Sequence, residues 1–221
     1  MNISKTQQNI LSKTEKFVKT QLADAEGGHD WWHIYRVWKL SNKIAKTENV
    51  DLYVVGLAAL LHDIADPKFH DGDEEIGPRL AKEFLVEQEV ESAIIDHVIE
   101  IIKNMSFKNS LGTVTFSSPE MDVVQDADRL DAIGAIGIAR AFNFGGFKNR
   151  PLYDPEIKPE LNMSKEKYKL SLSPTINHFY EKLLLLKGKM NTGTGRQLAE
   201  ERHLFMEEFL ERFYTEWEGE A

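Results

Sequence analysis

Apolar residues recur along this chain at helical spacing nearly from end to end. Ile10, Phe17 and Leu22 mark a first helix over about 3–25, which "EGGHD" ends. A second, about 31–48, gathers Ile34, Val37, Trp38, Ile44 and Ala45 on one face, as the 3.6-residue period requires. The third, about 52–65, is apolar nearly all round, the mark of a helix buried on every side. After the polar turn "DPKFHDGDEEIGP", Asp73 is placed to cap a helix carrying Leu80, Phe84 and Leu85. Ile94, Ile95, Val98, Ile101, Ile102 and Met105 then form the stripe of a fifth helix. "SFKNSLGTVTFSSPE" reads as a loop, with a short strand at 113–116. Ser118-Pro119 opens a helix expected to run to about Phe142. Residues 143–164 show no clear element, and two last helices cover about 174–187 and 195–217. The pattern predicts an all-α, bundle-like single domain over 1–221, with no internal repeat.

The third helix poses a chemical problem. Its apolar run ends in His62 and Asp63, side by side. Burying such groups without partners costs about 1–3 kcal/mol each, and more for a charge. Two other places set the same residue types against apolar helical runs: "GHDWWHIYRV", with His29 and His33 four apart, and "QDADRLDAIGAIGIA", with Asp126, Asp128 and Asp131. Imidazole nitrogens and carboxylate oxygens gathered in one pocket suit a hard-to-borderline divalent cation such as Mn, Mg, Fe, Ni or Zn. A metal would give the buried histidine and aspartate their partner.

Composition narrows the partners. The chain has 221 residues and no cysteine, which excludes disulfides and thiolate metal sites and fits a reducing cytoplasm. Its net charge of −9 opposes binding to a nucleic acid polymer. No stretch has the length of a membrane span, and the N-terminus lacks the apolar core of a signal peptide. A small phosphorylated ligand, held by a local positive site, fits best. Arg36, three residues past His33, and Lys68, soon after His62-Asp63, are candidate phosphate contacts. Lys148 and Arg150 in the long Gly-containing loop are candidates to close over a polyphosphate. Asp30 is placed as an N-cap or as an acceptor for an imidazole N–H, and Trp32 or Tyr35 as a stacking surface for a base.

The order His … His-Asp … Asp, within "HDWWHIYRVWKLS", "ALLHDIADPKF", "VVQDADRLDAIGAIGIARAF" and "KLLLLKGKMNTGTGRQLAEERHLFMEEFL", resembles the HD-domain metal-dependent phosphohydrolases. It is most similar to the small stand-alone bacterial members. The resemblance implies an all-α bundle with a central metal, its motif-bearing core at about 26–143 and C-terminal helices at about 164–218. It selects His33, in D-x-x-H, over His29, and implies that His33, His62, Asp63 and Asp128 hold one divalent ion, Mn or Mg being preferred. Asp66 matches the position where related nucleotidases carry a water-activating acid, with Asp here in place of their Glu. A further ligand in binuclear relatives comes from the region of His97. The implied activity is hydrolysis of a phosphate ester or anhydride in a nucleotide, as in nucleoside-triphosphate pyrophosphohydrolases, by a monomer or homodimer. The alternatives are a phosphomonoesterase resembling the 5′-nucleotidases, and a metal- and nucleotide-binding sensor without turnover.

Overall fold

The computed structural model describes residues 3–23, 30–65, 73, 75–105, 116–161, 163 and 172–220, and among these all regular structure is helical. The helices are α1 (Lys5–Gln21), α2 (Trp31–Ile44), α3 (Leu52–Leu61), α4 (Ile76–Glu87), α5 (Ser92–Asn104), α6 (Pro119–Asp131), α7 (Gly134–Phe147), α8 (Thr175–Glu181) and α9 (Gly193–Trp217). A 3-10 helix at Leu183–Lys189 lies between α8 and α9. The chain divides into two compact units, 1–128 and 129–221, and the border falls inside α6.

In the first unit α3 is the axis. Every residue from Tyr53 to Leu61 is buried, as α1, α2 and α5 pack around the helix. Each wholly buried Leu or Val on it gains about 1.5–3 kcal/mol over exposure, so a short, uncharged helix is stable here through packing. Asp51 starts it, its Oδ1 accepting from the N–H groups of Tyr53 at 2.8 Å and Val54 at 3.4 Å. The Asp51 N–H in turn donates to Glu120 Oε1 on α6. α4 packs on α5, and Gln125 of α6 donates to the Met105 carbonyl at the end of α5. These polar ties fix where α6 lies in the first unit.

In the second unit α9 carries α7 and the 3-10 helix, and α8 touches both of these. Phe142, Phe179 and Phe209 meet in the interior, with ring centroids 5.8–6.1 Å apart.

Several boundaries differ from the sequence expectation. The helix predicted to run from 118 to 142 is two helices, broken at Ala132-Ile133. The cause is tertiary: Gly134 adopts φ +73, and a side chain there would press within 2.9 Å of Arg202 of α9. Arg202 donates to the Leu130 carbonyl, which also accepts from the Ile133 N–H at 3.2 Å, so the end of α6 is closed from both sides. α7 then continues to Phe147, five residues into the expected loop, and the missing side chain at Gly145 leaves room for Thr175. Asp73 does not cap the first turn of α4. It accepts from the N–H of Glu75, the N-cap residue itself. The segment after Glu181 tightens into a 3-10 helix rather than continuing as α-helix. The strand expected at 113–116 falls, except for Phe116, outside the described residues.

Two groups inside the fold give tests. The Tyr53 hydroxyl is buried with no hydrogen-bond partner among the described residues, and burial together with Asp51 pushes its pKa up to about 12. Removing an unpaired buried hydroxyl removes a desolvation cost. Tyr53→Phe should therefore leave the melting temperature unchanged or raise it, and a clear fall in urea or thermal melts would contradict this. His178 on α8 has its pKa pushed down to about 3 by burial, with Lys182 and Arg150 adding to the effect. Between about pH 6.5 and 3 the unfolded chain binds a proton there and the folded chain does not, so stability falls with pH across that window. His178→Asn should lose less stability than the wild type between pH 7 and pH 4, compared by denaturant titration.

Candidate metal centre

Each candidate ligand is set by the end of a helix. Asp30 is the N-cap of α2, and its Oδ1 accepts from the His33 N–H at 3.0 Å. The D-x-x-H spacing is thus a capping geometry: aspartate at the N-cap reaches the third helical residue, which is the histidine. His33 is then buried, with only 2% of its side chain accessible. His62 closes α3 as its C-cap. Its Nδ1 lies 2.9 Å from the Ala59 carbonyl, which can only accept, so Nδ1 carries the proton and the Nε2 lone pair faces inward. That hydrogen bond fixes both the tautomer and the ring orientation. Asp128 comes from α6, side by side with the buried Ala127.

These groups converge. His33 Nε2 lies 3.2 Å from His62 Nε2 and 3.5 Å from Asp128 Oδ1, and His62 Nε2 lies 3.9 Å from the same oxygen. One ligand atom from each of the three falls within 4.8 Å of the others. Atoms bound to one ion at about 2.1 Å lie roughly 3.0 Å apart at right angles and roughly 3.4 Å apart in a tetrahedron. The observed edges fit such an ion with little adjustment. The cluster also sits at the C-terminal end of α3, where the helix dipole carries partial negative charge and favours a cation. Asp63 Oδ2 is 4.0 Å from His33 Nε2, adjacent to the tight set of three but outside it.

The structure sorts the remaining candidates. Of the three candidate aspartates Asp126, Asp128 and Asp131 on α6, Asp128 joins the histidines. Asp131 instead pairs with Arg140 at 2.8 Å, and Asp126, about 200° around the helix from Asp128, is buried away from the set. His97 does not join either: its Nε2 lies 2.9 Å from Ser118 Oγ and 3.6 Å from Glu120. Ser118 is the N-cap expected from Ser-Pro, accepting from the Met121 N–H. Arg36 is half-buried, one turn past His33 on α2. Trp32 and Tyr35 are exposed and lie edge to face at 5.9 Å. They fall about 100° and 200° around α2 from His33, so the helix turns both away from the ligand face. Lys148 and Arg150 flank the end of α7, both over the Phe144 ring. His29, Asp66 and Lys68 lie outside the described residues.

Comparison with known proteins shows which family the chain belongs to. Residues 31–133, which span all four sequence-predicted ligands, match the HD domain. YpgQ of Bacillus subtilis is 41% identical over 209 residues, 92% of this chain and 91% of YpgQ. The chain belongs to the HD-domain family. An HD-superfamily hydrolase from Bacillus thuringiensis is 43% identical, with 96% of this chain and 98% of that chain covered and a TM-score of 0.75. The crystal structure of Bacillus subtilis YpgQ in complex with ADP is 37% identical over 96% of each chain, also with a TM-score of 0.75. The resemblance drawn from the motifs thus holds for the family and for its all-helical fold. No helix among the described residues is long and apolar enough to cross a membrane.

The centre makes a direct prediction. His62→Ala removes one of the three converging atoms and should abolish stoichiometric Mn binding measured by elemental analysis after gel filtration. In the wild type, saturating Mn should raise the melting temperature, because an ion bound only by the folded state stabilises it by RT ln(1 + [L]/Kd). Undiminished metal in His62→Ala, or identical wild-type melting with and without Mn, would remove the assignment.

Proposed function

We propose that this HD-domain protein is a metal-dependent phosphohydrolase that cleaves a nucleoside triphosphate to the monophosphate and pyrophosphate. The observation that carries the reading is the convergence of two inward-facing imidazole nitrogens and a carboxylate oxygen within 4.8 Å. The solved complex of YpgQ with ADP supports a nucleotide as the ligand.

His33, His62 and Asp128 would hold the ion, with Asp63 as the fourth ligand. A divalent cation, Mn or Mg, supplies Lewis acidity toward phosphate oxygens and neutralises charge that develops there. The protein supplies the rest. The Asp30 cap and the Ala59 carbonyl hold the two imidazoles in place before any ligand arrives, so little ordering is left to binding. Asp66 is assigned as general base. It takes a proton from the water that attacks the α-phosphorus, while the bond to the bridging oxygen of the β-phosphate breaks and pyrophosphate leaves with that electron pair. Arg36 and Lys68 are assigned to phosphate contacts, and Lys148 and Arg150 to closing over the polyphosphate. We place the activity in the cytoplasm, on a monomer or homodimer of the whole 1–221 chain.

Mn-loaded protein, screened against ribo- and deoxyribonucleotides with products resolved, should release pyrophosphate and monophosphate from triphosphates. Orthophosphate from monophosphates would instead support a 5′-nucleotidase-like phosphomonoesterase, and nucleotide binding without turnover a sensor. Asp66→Asn should retain metal and fold while losing roughly 10²–10⁴-fold in kcat, the usual contribution of general acid–base catalysis. Lys68→Ala should mainly raise KM, as loss of binding shared by ground and transition states does. Wild-type turnover in Asp66→Asn would remove it as the base.

A further inference from the structure

The outer face of α2 takes no part in the metal centre. From Trp32 onward the exposed residues of this helix are Trp32, Tyr35, Lys39 and Lys43. At about 100° per residue, these four fall within about 80° of one another, a single stripe along about 16 Å of helix. The rest of the helix is turned inward, with His33, Ile34, Val37, Ser41 and Ile44 buried. Trp32 is 61% exposed and Tyr35 36%, so two large rings stand in the solvent side by side.

The charge on this face is of one sign. α2 contains no acidic residue, and Lys39 and Lys43 form no ion pair among the described residues. Lys39 is set against rings instead. Its ammonium lies 5.3 Å from the centre of the Tyr35 ring and 5.7 Å from that of Trp38. Tyr35 meets Trp32 edge to face at 5.9 Å, and Trp31 at 6.1 Å. From α1, Lys19 lies 4.6 Å over the Trp31 ring, which joins the end of that helix to the start of the stripe. α1 and α2 together carry seven basic residues and one acid, Glu15, whereas the whole chain has 27 basic residues and 36 acids. Exposed aromatic surface and positive charge thus coincide in a chain that is acidic elsewhere.

We infer that this face of α2 docks on the surface of an anionic phospholipid bilayer. Trp and Tyr settle at the level of the lipid headgroups, where the apolar ring body and the polar edge both find partners. Lysine stems lie along apolar surface and carry the ammonium up to the phosphates. A straight stripe on one helix meets a flat surface along its whole length. The net charge of −9 does not oppose this strongly, because charges more than about 8 Å from the lipid are screened at physiological salt. Single-stranded nucleic acid also pairs rings with lysines, but it stacks its bases on free ring faces. Here Lys19 covers one face of Trp31 and Lys39 one face of Tyr35. Insertion among headgroups needs no free ring face, so lipid is the better fit. The face needs no metal.

The test is sedimentation of the full chain with vesicles of phosphatidylcholine containing one-third phosphatidylserine. The protein should pellet with these vesicles, stay in solution with phosphatidylcholine alone, and be released by half-molar sodium chloride. Each lysine near an anionic surface is worth about fivefold in partition, so Lys39→Gln with Lys43→Gln should weaken binding about 25-fold. Lys82→Gln with Lys158→Gln, exposed lysines elsewhere, should leave binding unchanged. Brominated acyl chains should quench tryptophan emission in the wild type, and Trp32→Phe should lose most of that quenching while still binding. All variants should bind Mn at wild-type stoichiometry, since none touches the metal centre. Should Trp32→Phe melt lower than the wild type, the lysine pair decides alone. No pelleting with phosphatidylserine, or equal pelleting without it, would overturn the proposal. So would wild-type binding in the Lys39, Lys43 variant, or an equal loss in the Lys82, Lys158 variant. Oligothymidylate held more tightly than the vesicles would assign the face to nucleic acid instead.

Discussion

Two imidazole nitrogens 3.2 Å apart at the end of a helix buried along its whole length are the constraint on which the first unit turns. Hydrocarbon on every side of α3 excludes the water that would otherwise solvate them. The Ala59 carbonyl occupies the Nδ1 proton of His62, so its Nε2 lone pair is aimed at His33 and Asp128. Acceptor atoms that face one another at this spacing repel unless a proton or a cation lies among them. The same packing that makes α3 stable therefore makes a site that a divalent ion fits.

The supports for that site are local and inexpensive. Asp30 caps α2 and thereby orders the turn that carries His33. Asp51 caps α3, and its own N–H is held by Glu120 of α6, the helix that brings Asp128. Ser118 starts α6 and also receives His97. Capping contacts tie α3 to α6 through Asp51 and Glu120, while α2 is capped by its own Asp30.

Legibility in the sequence followed the range of the interaction. The buried axis, the apolar stripe of α5 and the Ser-Pro start of α6 were readable because periodicity and capping act within a few residues. The single helix expected from 118 to 142 was not one helix, because the break at Gly134 answers to Arg202, far along the chain. The glycine at 145 within α7 answers likewise to Thr175, thirty residues on. His178 carried no pattern to mark it. Burial first holds its pKa down, and Lys182 and Arg150 add to the effect.

The sequence by itself determined the helical class, the central apolar helix, and the His33, His62-Asp63 and Asp126–Asp131 motifs as places where polar groups meet a core. Each of those rests on periodicity or on adjacency, which the chain carries locally. Periodicity and adjacency did not separate Asp128 from Asp126 and Asp131, although the family resemblance pointed to Asp128. All three stand within six residues on one helix, and the fold turns one toward the histidines, buries one elsewhere and pairs one with Arg140. Tertiary structure likewise decided that His33 and His62, 29 residues apart, meet at hydrogen-bond distance. A contact across that separation is set by how α2 packs on α3, and packing is a property of two surfaces rather than of either sequence alone.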